Sequence, residues 1–106
     1  MGDLPADLPA EALAARAEHV AERLALLANA NRLLILCQLA KGERPVGAIQ
    51  AAVGLGQSAL SQHLARLRDA GVVATRREGS AIHYRLSDPE MVALMGALYD
   101  TFCRDV

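Results

Sequence analysis

The sequence predicts a mainly α fold with a small β-hairpin, and three observations carry that prediction. Leu60, Leu64 and Leu67 recur at i, i+4 and i+7 between Gly54 and Gly71, the spacing of one helical face. After Gly71 the pattern becomes β-branched and alternating in Val72–Arg77 and Ala81–Leu86, around the turn Glu78-Gly79-Ser80. The three aromatic residues are Tyr84, Tyr99 and Phe102, and tryptophan is absent. The core is therefore built from Leu, Ala, Val and Ile, which favours helices over strands. A length of 106 residues sets one domain as the expectation.

In chain order, residues 1–9 carry Gly2, Pro5, Pro9 and two aspartates and read as a flexible arm. Residues 10–106 read as one folded domain. Ala10 to Leu27 is Ala-rich and helical, with Leu13, Ala17, Val20, Leu24 and Leu27 in a stripe that a second chain is expected to cover. Asn29 is placed to cap the next helix. On that helix Leu33, Leu36, Cys37 and Ala40 share a face, and Gly42 ends it. Pro45 opens a short helix over Val46–Val53, with Ile49 and Val53 inward. Gly54-Leu55-Gly56 makes the turn into a helix over Gln57–Ala70. Ser87 or Asp88 caps the last helix, and Pro89 occupies its first turn. Two apolar stripes run along it, Met91/Met95/Leu98/Phe102 and Val92/Gly96/Tyr99/Cys103.

A short helix, a glycine-containing turn and a second helix fit a helix-turn-helix. The outer face of the second helix begins with uncharged hydrogen-bonding groups and ends with cations. Gln57, Ser58, Ser61 and Gln62 suit base edges, and Arg66 and Arg68 suit phosphates. The hairpin that follows, bearing Arg76, Arg77 and Arg85 with Ser80 at its turn, fits the wing of a winged helix. The plainer alternatives are an amphipathic surface helix and an edge hairpin with solvated arginines.

Formal net charge is −1, but it is unevenly spread. Residues 1–28 hold five carboxylates against two arginines, and residues 54–86 hold five arginines against Asp69 and Glu78. That asymmetry is compatible with a basic binding face. No run approaches the roughly 20 apolar residues of a membrane span, and no signal peptide is visible. A cytoplasmic, reducing setting is expected, where a permanent disulfide between two cysteines would be unusual. No nucleophile triad, carboxylate pair or phosphate loop points to an enzyme, and no cofactor is expected.

Three segments together resemble the ArsR/SmtB family of bacterial repressors. They are Leu27–Leu36, Leu55–Val73 and Arg76–Leu86. The resemblance runs from about Ala10 to the C-terminus. It implies a homodimeric winged helix-turn-helix with the first and last helices at the dimer interface, double-stranded operator DNA as the target, and an inducer that releases it. Some metal-sensing members carry Cys-x-Cys at the start of the third helix, where this chain has Pro45-Val46-Gly47-Ala48-Ile49. Others place His ligands on the last helix, and Pro89–Cys103 contains none. His19, His63 and His83 are scattered, so no metal site is expected.

Cys37 and Cys103 remain. Their positions resemble the persulfide-sensing SqrR/BigR-like subgroup, in which sulfane sulfur donors such as glutathione persulfide link two such cysteines and weaken DNA binding. Arg32, Lys41 and Arg104 are the nearest cations in sequence that could favour a thiolate. Two unrelated core cysteines are the plainer reading of the same pair. A constitutive or otherwise induced DNA-binding regulator, or a protein-interaction module on this fold, is the alternative function.

Overall fold

The structure is a computed structural model that describes residues 10–105; the predicted arm at residues 1–9 lies outside them. The order of elements is α1 (Ala10–Ala15), α2 (Ala17–Leu27), α3 (Ala30–Ala40), β1 (Arg44–Pro45), α4 (Val46–Val53), α5 (Gln57–Asp69), β2 (Val73–Glu78), β3 (Ala81–Leu86) and α6 (Pro89–Phe102). This is a mainly helical winged helix-turn-helix with a small antiparallel sheet.

The helix predicted over Ala10–Leu27 is interrupted at Arg16, whose φ of −111° and ψ of 11° leave the α region. Of the stripe left for a second chain to cover, Leu13 and Leu24 are exposed, and Leu26, outside that stripe, is the residue buried in α2. Arg32 closes the end of α2 from the next helix: its Nε donates to the Leu26 carbonyl at 3.0 Å and its Nη2 to that of Ala25 at 3.2 Å. These are carbonyls that a helix end leaves unpaired. Asn29 caps α3 as expected, accepting from the Arg32 amide at 3.0 Å.

α3 turns Ile35, Leu36 and Leu39 into the core. Leu60, Leu64 and Leu67 of α5 meet them with Ile49, Val72, Val73, Met91 and Met95 in one cluster. Burying a Leu or Ile side chain contributes about 1.5–3 kcal/mol. The predicted face Leu33/Leu36/Cys37/Ala40 divides: Leu36 is core, whereas Leu33, Cys37 and Ala40 line a surface groove.

The end of α5 is a Schellman motif. Gly71, at φ 77°, donates to the Arg68 carbonyl at 3.0 Å, and Val72 donates to that of Leu67 at 3.1 Å. Val72 and Leu67 are both fully buried, the apolar contact that accompanies this motif. The motif stops the recognition helix and aims the chain into the wing.

The hairpin β2–β3 pairs Val73 with Leu86 through Glu78 with Ala81. Its loop is two residues, Gly79-Ser80, one shorter than expected, because Glu78 still pairs within the ladder. Gly79, at φ 62°, takes the first loop position, which a type II′ turn reserves for glycine. The sheet has a third strand that the sequence did not announce: Arg44 and Pro45 pair with Tyr84 and His83, giving the order β1-β3-β2. A two-residue strand is too short for any alternation to be read.

Candidate nucleic-acid interface and thiol groove

Gln57, Ser58, Ser61 and Gln62 all lie exposed on the first half of α5, and Arg66 and Arg68 are exposed in its last turn. The buried leucines of the same helix hold that outer face away from the core. Helix α4 precedes α5 through Gly54, whose φ of 71° makes the turn, and the Gln50 side chain donates to the Leu55 carbonyl at 3.3 Å to fix it.

The wing arginines are not equivalent. Adjacent strand residues point to opposite faces of a sheet. Arg76 is bound, with its Nε 2.6 Å from Glu43 Oε1 and its Nη1 3.6 Å from Glu78. The bond to Glu43 is the main influence holding its guanidinium pKa above the ordinary value. Among the described residues Arg77 has no carboxylate within 4 Å and stands exposed beside the Gly79-Ser80 tip. Arg85, grouped with the wing in sequence, lines the thiol groove instead.

That groove, of about 980 Å³, runs between α3 and α6. Cys37 and Cys103 both open onto it, with Leu33, Val92, Tyr99 and Phe102 among its apolar walls. Neither cysteine belongs to the core, and both are free thiols exposed to solvent. Burial against the groove wall is the main influence raising the Cys37 thiol pKa; the charge of Cys103 raises it further, and Lys41 opposes both. The three nearest cations therefore differ in role. Lys41 acts on Cys37, Arg32 is committed to the end of α2, and Arg104 follows Cys103 at the exposed end of the chain. Among the described residues no group of three or more His, Cys, Asp or Glu side chains is gathered to hold a metal ion.

Sequence reasoning missed the groove as an object and missed Glu43 within it. The signal for the groove was the face that Leu33, Cys37 and Ala40 share with Leu36. Glu43 had none, since its partner Arg76 is 33 residues away.

The biofilm growth-associated repressor of Agrobacterium fabrum is 44% identical to this chain over 97 residues, spanning 92% of this chain and 83% of the repressor. The chain belongs to the ArsR family. The model of that family, described as bacterial regulatory protein, arsR family, matches residues 29–75, from the cap of α3 into β2 of this ArsR-family protein. The crystal structure of the transcriptional repressor BigR from Xylella fastidiosa superposes with a TM-score of 0.86 at 41% identity, covering 91% of this chain and 98% of BigR. The transcriptional activator HlyU of Vibrio cholerae is 44% identical over 76% of this chain and 75% of HlyU. These relatives are described as transcriptional regulators and not as enzymes, and the likeness to BigR supports placing this ArsR-family member in a BigR-like subgroup. No helix among the described residues is long and apolar enough to cross a membrane.

Proposed function

We propose that this protein is a homodimeric, DNA-binding transcriptional repressor of the cytoplasm, released from its operator when sulfane sulfur joins Cys37 to Cys103. The observation that carries the reading is that both thiols, far apart in sequence, open onto one groove between α3 and α6.

In this reading residues 10–106 act as one domain. Gln57, Ser58, Ser61 and Gln62 meet base edges in a major groove, and Arg66, Arg68, Arg77 and Ser80 meet the backbone. Arg76, expected from the sequence to join them, lies on the opposite face of β2 from Arg77 and is bound to Glu43. The dimer is supported by what the single chain leaves uncovered. Phe102 is 72% exposed and Tyr99 58% on α6, and Leu13 and Leu24 are exposed on the first two helices. Uncovered apolar patches of this kind mark association surfaces.

The chemistry needs no cofactor. A Cys103 thiolate attacks the outer sulfur of a persulfide R–S–SH and gains that sulfur, while R–S⁻ leaves. Cys37 is loaded in the same way. Its outer sulfur then attacks the inner sulfur of the Cys103 persulfide and expels HS⁻. The product is a trisulfide between the two cysteines. A direct disulfide requires Cα atoms about 4.4–6.8 Å apart, and each added sulfur relaxes that limit. Such a bridge links α3 of the core to α6 of the dimer frame. It shifts the spacing of two recognition helices that must fit half-sites roughly 34 Å apart.

The test is intact-mass analysis of the reduced protein after treatment with glutathione persulfide. A species that has gained sulfur, lost two hydrogens and no longer reacts with a thiol alkylator supports the bridge. Two cysteines that both remain open to alkylation contradict it.

A further inference from the structure

Resting on the sulfur-bridge reading above, we infer that Glu43 is a positioning residue that ties the lip of the thiol groove to the wing by holding Arg76.

Glu43 touches two places at once, and it is the groove residue whose side chain is ion-paired to a wing arginine. It lines the groove onto which Cys37 and Cys103 open, and its carboxylate lies 2.6 Å from the Arg76 guanidinium in β2. The segment that carries it is short and fixed at both ends. Lys41 and Gly42 close α3, their amides donating to the Gln38 and Leu39 carbonyls respectively. Gly42 bends the chain at φ 135°, a conformation that L side chains rarely adopt. Arg44 then returns to α3, its Nε donating to the Gln38 carbonyl at 3.2 Å. One residue later Pro45 pairs with His83, and His83 pairs with Arg76 on its other side. Glu43 thus starts a strap that runs from the end of the Cys37 helix across the sheet to the wing.

The mechanical consequence follows from packing. A bridge between Cys37 and Cys103, or bulk added at both thiols, displaces the groove walls from their resting separation. Glu43 stands on the lip of that groove, so its carboxylate moves relative to β2. Arg76 is held from one side by Glu43 and from the other, more loosely, by Glu78, which also lies 3.6 Å from His83. Loss of the Glu43 contact leaves Arg76 to Glu78 alone and loosens the wing. The signal therefore reaches DNA-facing residues within one protomer, in addition to any change in dimer spacing. Two-site coupling of this kind typically spans about 5–150-fold in affinity.

The test follows backbone amide hydrogen exchange over residues 75–84 in wild type and Glu43→Gln, before and after both thiols are modified with N-ethylmaleimide. The probe needs neither DNA nor sulfane sulfur, so it separates the relay from the sulfur chemistry. Modification is expected to speed exchange in the wild-type wing about fivefold or more. Glu43→Gln is expected to start at that faster rate and to gain less than twofold on modification. The double variant Glu43→Arg with Arg76→Glu restores an ion pair and is expected to recover the wild-type response, which guards against a trivial folding defect. A wild-type wing indifferent to modification would overturn the relay, as would a Glu43→Gln response equal to that of wild type. A relay that responds to maleimide in a protein that never forms a sulfur bridge upholds Glu43 and removes only the proposed inducer.

Discussion

The Asp88 carboxylate lies 3.2 Å from the Arg23 guanidinium, tying the first turn of α6 to the middle of α2. One Asp88 oxygen accepts from the Glu90 amide at 3.1 Å as the cap of α6. The other faces Arg23 Nε off-axis, so that contact is ionic rather than an aligned hydrogen bond. Arg23 spends Nη1 on the Ala70 carbonyl at 3.0 Å. One arginine thereby joins α2, the end of α5 and the start of α6. Both side chains are mostly buried, at 15% and 11% exposure.

Asp88→Ala removes the cap and leaves Arg23 without its most buried partner. Loss of an N-cap costs about 0.5–2 kcal/mol. Asp88→Asn keeps a capping oxygen and is expected to cost less. Urea unfolding of both variants checks this; equal losses would assign the whole effect to charge and none to the cap.

Acid should loosen the same corner. Glu90 accepts from His19 at 2.5 Å, and that bond is the main influence holding its carboxyl pKa below the ordinary value. A depressed carboxylate contributes stability that is fully present above its unfolded pKa and is lost as pH falls through the folded one. The contribution is therefore lost from about pH 4.5 downward. Both side chains are about half exposed, so the effect is small and screened by salt. Thermal unfolding of wild type and Glu90→Gln between pH 3 and 7 should converge at the acid end.

Cys37 should be the slower thiol than its sequence position suggests. Burial, aided by Cys103, raises its pKa. Its iodoacetamide rate at neutral pH should fall below that of a free thiol and climb with pH into the alkaline range. Cys103→Ser removes one of the two raising influences and should speed Cys37 alkylation modestly. Lys41→Gln removes the opposing cation and should slow it. Site-resolved mass spectrometry reads both rates, and opposite signs would contradict the shared groove.

The recognition surface makes a separate expectation. Gln62→Ala should reduce discrimination between specific and non-specific DNA by about 1–3 kcal/mol, the value of a good bidentate base contact. Arg77→Ala should weaken binding to all sequences alike and flatten its salt dependence. Binding titrations at several salt concentrations check both; exchange of the two phenotypes would reverse the roles given to helix and wing.

Much of this was legible in the sequence, for local reasons. Asn29, Gly54, Gly71 and Asp88 set helix ends through their own side chains or backbone, so pattern and structure agree there. The leucine face of α5 was legible because a full heptad carries it. The exposed Leu13 and Leu24 agree with a stripe left for a second chain, whereas Leu26, which meets the core, was not singled out because no periodic pattern includes it. Cys37 shares a helix face with Leu36, and only α6 packing beside α3 shows that Leu36 meets the core while Cys37 stands on a groove wall. The strand Arg44–Pro45 and the Glu43–Arg76 bond depend on partners more than 30 residues away, which no local pattern encodes. The family resemblance located the two cysteines, and the fold supplied the groove between them.

The most direct measurement is operator binding by wild type, Cys37→Ser and Cys103→Ser, each with and without glutathione persulfide. Wild type should lose affinity by about 5–150-fold and regain it on reduction. Both serine variants should bind as tightly as reduced wild type and stay bound when treated. Full release of Cys103→Ser by persulfide would contradict the two-cysteine switch and leave the groove without a part in DNA release.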